Sequence, residues 1–403
     1  MEIETSLRGV QDFDVLLEYI LTESRKLVNA DAGSIYICEN SYLQIKYAQN
    51  DTQQAKLKPG EKLPFVFFSF PINQDSIVGY SVQENRILNI EDVYSLDPSY
   101  PCSFNKRSDL LTGYRTCSMI VVPLVSSSGK QMGAIQLINA RNKDAGIVSF
   151  DKDAEVYINH LASSVLYALE RAYLSKLMVM RMIKMAGFRD PKETGSHVNR
   201  VSTFAIEIYD RWSFNHKISA EENVKFRDSL KIAATLHDVG KIGIPDEILK
   251  KPGKFNDREY AVIKTHSCIG ACLFDDIASG VDQMSRDVAL HHHERWDGKG
   301  YPGNVDCMLF KGGVTIDNKH LDTLLESTGL AAEDIPLAAR IVSVADVFDA
   351  LCSLRVYKEA WTVDDAVAEI KTQSGKQFDP EVVDAFCEIL PRIMAIRTAL
   401  PDA

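Results

Sequence analysis

The sequence predicts two folded units of different class joined by a long helix. The N-terminal unit is α/β, with a central antiparallel sheet and flanking helices, and the C-terminal unit is all-α. Three observations lead there. Helical and strand patterns alternate through residues 1–150, a proline-free stretch rich in helix formers covers 151–187, and residues 188–403 read as helices and loops. At 403 residues the chain is also long for one domain.

In the first unit, Phe13, Leu16, Leu17, Ile20, Leu21 and Leu27 recur at helical spacing, which predicts an amphipathic helix over 11–29. Residues 34–38 and 42–48 read as strands across a Glu39-Asn40-Ser41 turn. Residues 119–125 and 132–138 are apolar runs on either side of a Ser-Ser-Ser-Gly turn, a hairpin inside a sheet. In the joining helix, Ile158, Leu161, Val165, Leu169 and Ala172 step by three and four. Such a stripe either pairs with its twin in a homodimer or packs on the chain's own domains. Gly187 to Pro191 ends the helix, because proline disfavours helical backbone before it.

Composition narrows the function classes. A formal charge of −11 argues against a protein that grips nucleic-acid polymers, while leaving room for a small nucleotide ligand. No apolar run reaches the roughly 18–20 residues of a membrane span, and the acidic start Met1-Glu2-Ile3-Glu4 is unlike a signal peptide. The chain reads as cytoplasmic. Its eight cysteines are scattered without a C-x-x-C pair, as expected of thiols in a reducing compartment.

The chemistry lies in the second half, where all the histidines but His160 fall. Glu193 and His197 are four apart and would share a helix face. His237-Asp238 follows the apolar run 230–236, which suits a buried helix, and Lys241 would lie on the same helix face as His237. His266 stands alone, His291-His292-His293-Glu294 forms a third group, and Asp346 sits inside the apolar segment 341–349. A lone helical histidine is usually an ordinary polar residue. A carboxylate such as Asp346 in an apolar helix is different, because burying it unpaired is costly and calls for a cation or strong donors. Imidazoles and carboxylates without thiolates make a hard nitrogen-and-oxygen set, better suited to octahedral iron or manganese than to structural zinc.

Residues 188–403 resemble the HD-GYP family of cyclic-di-GMP phosphodiesterases. The motifs are Glu193-Thr194-Gly195-Ser196-His197, His237-Asp238-Val239-Gly240-Lys241, His292-His293-Glu294-Arg295-Trp296-Asp297-Gly298-Lys299-Gly300-Tyr301-Pro302, the segment 339–351 around Asp346, and Gly375-Lys376-Gln377-Phe378-Asp379-Pro380. The first 150 residues resemble a GAF domain, a small-molecule sensor, through the helix-then-hairpin start, Val78 to Val82, Ile87 to Val93, Val122-Pro123-Leu124 and the strand ending Leu137-Ile138-Asn139. Asn142-Lys143 and Phe150 are followed by Ala154-Glu155, without the aspartate of members that bind cyclic nucleotides.

The resemblance implies metal ligands at Glu193, His197, His237, Asp238, His266, His292, His293 and Asp346, with His291 an outer neighbour. An acid at the position of Glu193 marks a subclass with three divalent transition metals, iron first and manganese as the alternative. It implies catalytic roles for Asp238, which would bridge metals, and Lys241. Substrate binding falls to Lys241, Tyr301, Arg355 and Lys358, although Val356 replaces the family's proline after the arginine. The expected reaction is hydrolysis of cyclic di-GMP through the linear dinucleotide to GMP, regulated by a small molecule on the GAF domain. The alternatives are a 3′,3′-cyclic GMP-AMP phosphodiesterase and a catalytically silent scaffold. A homodimer and a protein partner at the Gly300-Tyr301-Pro302 loop are further expectations. The stretch between Pro302 and Ile335 is longer than usual, and Asp317–Glu326 before Gly329 reads as an added helix, either a lid or an inert decoration.

Overall fold

The computed structural model describes residues 10–63, 69–189, 195–353 and 361–401, in two compact units divided after Lys176. Glu193, Arg355 and Lys358 lie outside the described residues.

The first unit opens with α1 (Phe13–Leu27). Asp12 caps it by accepting hydrogen bonds from the Asp14 and Val15 amides, and Leu16, Leu17, Ile20 and Leu21 are fully buried. The strands are β1 (Ala30–Glu39), β2 (Tyr42–Asn50), β3 (Ser69–Pro71), β4 (Leu88–Ile90), β5 (Met119–Val125), β6 (Gln131–Arg141) and β7 (Ile147–Val148). They form an antiparallel sheet in the order β3-β2-β1-β6-β5-β4, with β7 on β6. Both expected hairpins form. Asn40 and Ser41 turn β1 into β2 with positive φ at both residues, as a two-residue hairpin turn of this hand requires. Helix α2 (Ile77–Glu84) contributes Ile77, Val78 and Val82 to a core shared with Leu43, Leu88, Met119 and Val121.

Helix α3 (Lys152–Gly187) is the expected long helix. Its stripe of Ile158, Leu161, Val165, Leu169 and Ala172 is buried within the chain. Adjacent positions show what covers this part of the helix: the Tyr173 ring lies 5.5 Å from Phe13, Lys176 pairs with Asp14 at 2.9 Å, and Glu170 accepts from the Ser127 amide. The stripe is therefore taken up by the chain's own first unit.

The second unit is helical. Five helices position the site: α4 (Gly195–Asn215), α5 (Ala220–Thr235), α6 (Asp257–Cys272), α7 (Gly280–His291) and α8 (Leu337–Cys352). Phe204 of α4 meets Phe348 of α8, which meets Phe386, all fully buried; each such side chain contributes about 1.5–3 kcal/mol. Two expectations need correction. The pair His237-Asp238 is not helical: α5 stops at Thr235, and after a turn a 3-10 helix runs from Val239 to Gly243. The added helix is only Leu321–Glu326, and Gly329 does not cap it. The inserted stretch is no loose decoration, because Cys307, Phe310, Val314, Leu321 and Leu324 share a core with Ala261, Val262, Cys268 and Ile269 of α6.

Among the described residues no helix is long and apolar enough to cross a membrane. All eight cysteines are free thiols.

Candidate metal centre

Two groups of side chains converge in the second unit. Asp238, His266, His292 and His293 bring their ligand atoms within 4.8 Å of one another, and His197, His237 and Asp346 do the same. His197 comes from α4, His266 from α6 and Asp346 from α8, while the rest occupy the chain just after α5 and α7. Leaving the helix at His237-Asp238 frees both side chains to face inward. The 3-10 helix that follows then lies hard against α6: a Cβ on Gly240 would fall 1.9 Å from the His266 carbonyl oxygen, so only glycine fits.

Asp238 joins the groups. Its Oδ1 lies 3.1 Å from His266 Nε2 and 3.6 Å from His292 Nε2, and its Oδ2 lies 3.3 Å from His237 Nε2. Burial alone would raise this carboxyl's pKa, but the Lys241 ammonium beside it holds it well below the usual carboxylate range. Lys241 donates to Oδ2 across 2.7 Å, one 3-10 turn away instead of on a shared helix face with His237.

Backbone carbonyls fix the imidazole tautomers. His237 Nδ1 faces the Ala234 oxygen at 2.8 Å, His266 Nδ1 that of Ile263 at 2.7 Å, and His292 Nδ1 that of Val288 at 3.0 Å. A carbonyl only accepts, so each Nδ1 carries the proton and each Nε2 presents a lone pair to the centre. Burial pushes the pKa of His292 down and that of His293 well down, which keeps both rings neutral. The Nε2 atoms of His266 and His292 and Oδ1 of Asp238 are buried and make no hydrogen bond. A buried set of acceptors facing acceptors is suited to a cation, and hard nitrogen and oxygen donors fit divalent metal ions.

Around this centre lie residues that spacing alone did not single out. Asp349, fully buried on α8, accepts from His197 Nδ1 at 2.8 Å and from Arg200 at 2.6 and 2.9 Å. The available signal was the spacing of three, His197 to Arg200 on α4 and Asp346 to Asp349 on α8, which puts each pair on one face. Glu294 is buried and ties two segments together, accepting from the Gly303 amide at 2.6 Å and the Leu330 amide at 3.0 Å. Gly329 passes so close to Glu294 that a Cβ would lie 2.6 Å from Oε2, which explains that glycine better than a helix cap does. His291 turns towards Glu294, its Nδ1 3.6 Å from Oε1, and joins neither group.

Tyr301 stacks on His293 with ring centroids 4.9 Å apart, and burial raises its phenol pKa well above the usual value. Gly300 before it packs so tightly that a Cβ would fall 2.4 Å from the Arg295 nitrogen.

Sequence comparison now supplies the class. Residues 12–169 match the GAF domain family and residues 194–351 match the HD domain family. The chain carries a GAF domain followed by an HD domain. Among its relatives is a cyclic di-GMP phosphodiesterase of Vibrio cholerae serotype O1, 30% identical over 306 residues that cover 73% of this chain and 57% of the relative. The cyclic di-GMP phosphodiesterase response regulator RpfG of Xanthomonas campestris pv. campestris is 45% identical over 205 residues, covering 51% of this chain and 45% of that protein. The 3′3′-cGAMP-specific phosphodiesterase 2 of Vibrio cholerae serotype O1 is 35% identical over 211 residues, covering 52% and 34%. The chain thus spans between about a third and just over half of the length of these relatives.

Proposed function

We propose that the chain is a metal-dependent phosphodiesterase that hydrolyses cyclic di-GMP, through the linear dinucleotide, to GMP. The observation that carries this reading is the convergence of five imidazoles with Asp238 and Asp346, with Asp238 facing both groups. The names of the relatives support the substrate class.

His197, His237, Asp238, His266, His292, His293 and Asp346 would hold the metals, with Glu193 as a further ligand. Divalent metals held there supply Lewis-acid charge to a phosphodiester and lower the pKa of water to near neutrality. The chain's own part is to orient and to exclude solvent. Asp238 offers one oxygen to each group, Lys241 adds positive charge beside it for the developing negative charge on phosphate, and Tyr301 walls the centre over His293. Arg355 and Lys358 are proposed to hold phosphate. A small-molecule ligand is proposed for the GAF domain, which has a cavity of about 290 Å³ lined by Tyr94, Tyr100, Cys102, Phe104 and Lys106 among others.

Anaerobically purified protein, assayed for metal and incubated with cyclic di-GMP under chromatographic product analysis, tests the reading. Conversion to GMP is expected, and a full metal complement without turnover on any cyclic dinucleotide overturns it. The third metal has its own test: Glu193→Ala should lower the content by about one ion per chain. Unchanged stoichiometry would refute a trinuclear centre. The 35% identity to a 3′3′-cGAMP-specific enzyme favours 3′,3′-cyclic GMP-AMP as the second substrate, so both dinucleotides belong in the assay.

A further inference from the structure

Lys264 stands apart from the paired cations of the preceding segment, residues 241–258. Lys241 reaches Asp238, Lys250 reaches Asp246, Lys251 reaches Glu259 and Arg258 approaches Asp322, each a carboxylate. Among the described residues Lys264 forms no ion pair. Its ammonium instead lies over two aromatic faces, 4.9 Å from the Tyr260 ring centroid and 5.3 Å from that of Tyr301. The two rings meet edge to face at 6.5 Å, making a corner in which the ammonium sits. Ring faces attract a cation without neutralising it.

The position is informative as well. Tyr301 stacks on His293 and lies 6.4 Å, edge to face, from His266, so a single aromatic ring separates the Lys264 ammonium from the centre. Tyr260 is 45% exposed, which places this corner at the rim, open to a ligand that enters from solvent. A cyclic dinucleotide carries two phosphodiester anions, and only one is cleaved at a time. The other needs a cation a short way from the metals.

We propose that Lys264, held by Tyr260 and Tyr301, binds the phosphate that is not being cleaved in a cyclic dinucleotide. This rests on the phosphodiesterase reading above. The ammonium donates to a non-bridging phosphate oxygen while the two rings fix its direction. A substrate with a single phosphate has nothing to place there.

The test compares metal-loaded parent, Lys264→Met and Lys264→Arg, as full chains, on cyclic di-GMP, on 3′,3′-cyclic GMP-AMP and on bis(p-nitrophenyl) phosphate, a diester with one phosphorus. Loss of a charge-assisted hydrogen bond should raise KM for the dinucleotide roughly tenfold in K264M, with kcat little affected. The ratio of kcat/KM on the dinucleotide to that on the single-phosphate ester should fall by the same factor. K264R should recover most of the loss, and all three proteins should hold the same metal per chain. An equal loss on both kinds of substrate, or no loss on the dinucleotide, overturns the inference and leaves the functional reading standing. A parent protein that neither binds nor cleaves any cyclic dinucleotide overturns the reading itself, and the inference with it.

Discussion

Asp349 Oδ2 lies 2.8 Å from His197 Nδ1, so the first histidine of the centre is oriented by a carboxylate that belongs to neither ligand group. Arg200 grips the same carboxylate from the other side, and the three residues are all buried. A carboxylate behind an imidazole sets its tautomer and raises its basicity towards a metal.

Asp349→Asn should therefore loosen the metal without touching a ligand. Metal affinity is expected to fall roughly 10–100-fold, read as metal retained after dialysis and as the metal concentration that restores turnover. Full retention would mean that His197 is oriented by something other than Asp349.

Arg200→Met tests the other half of the pair. Leaving a buried carboxylate without its guanidinium costs about 3–5 kcal/mol, measurable by urea unfolding. The sign with pH follows from Asp349, whose pKa burial would raise but His197 and Arg200 hold below the ordinary value. The unfolded chain then binds more protons between the folded pKa and about 3.9, so the pair's stabilisation is complete above that range. The gap between parent and variant should shrink as pH falls through it; a gap independent of pH would assign the stability to packing.

Metal removal should destabilise the second unit as well as silence it. Refilling a purified apo-protein at a hundred times the dissociation constant is expected to add about 2.7 kcal/mol. Thermal unfolding with and without added Fe(II) or Mn(II) reads this directly. An unchanged midpoint would argue against a cation among Asp238, His266 and His292.

Glu294→Ala leaves the Gly303 and Leu330 amides without their shared acceptor. The expected penalty is about 1–3 kcal/mol of local stability, read as faster hydrogen exchange at those two amides. If exchange there is unaltered, the Gly298–Gly303 loop is held by other contacts, such as Ser327 Oγ to the Pro302 oxygen at 2.6 Å.

Much of this was legible in the sequence, because hydrophobic period and local chemistry are local properties. The stripe on α1, the apolar runs of β5 and β6 and the Asn40-Ser41 turn announce their elements within a few residues. The histidines and Asp346 stood out through residue type and spacing. Which surface covers the Ile158–Ala172 stripe was not legible, since a helical stripe records only that it is buried, and here the first unit buries it. That His237-Asp238 leaves the helix, that Asp349 and Glu294 stand behind the ligands, and that Lys264 lies over Tyr260 and Tyr301 were decided by tertiary packing. Each depends on contacts between segments far apart in the chain, and the direction of a side chain across such a gap is set by what the neighbouring helices leave room for.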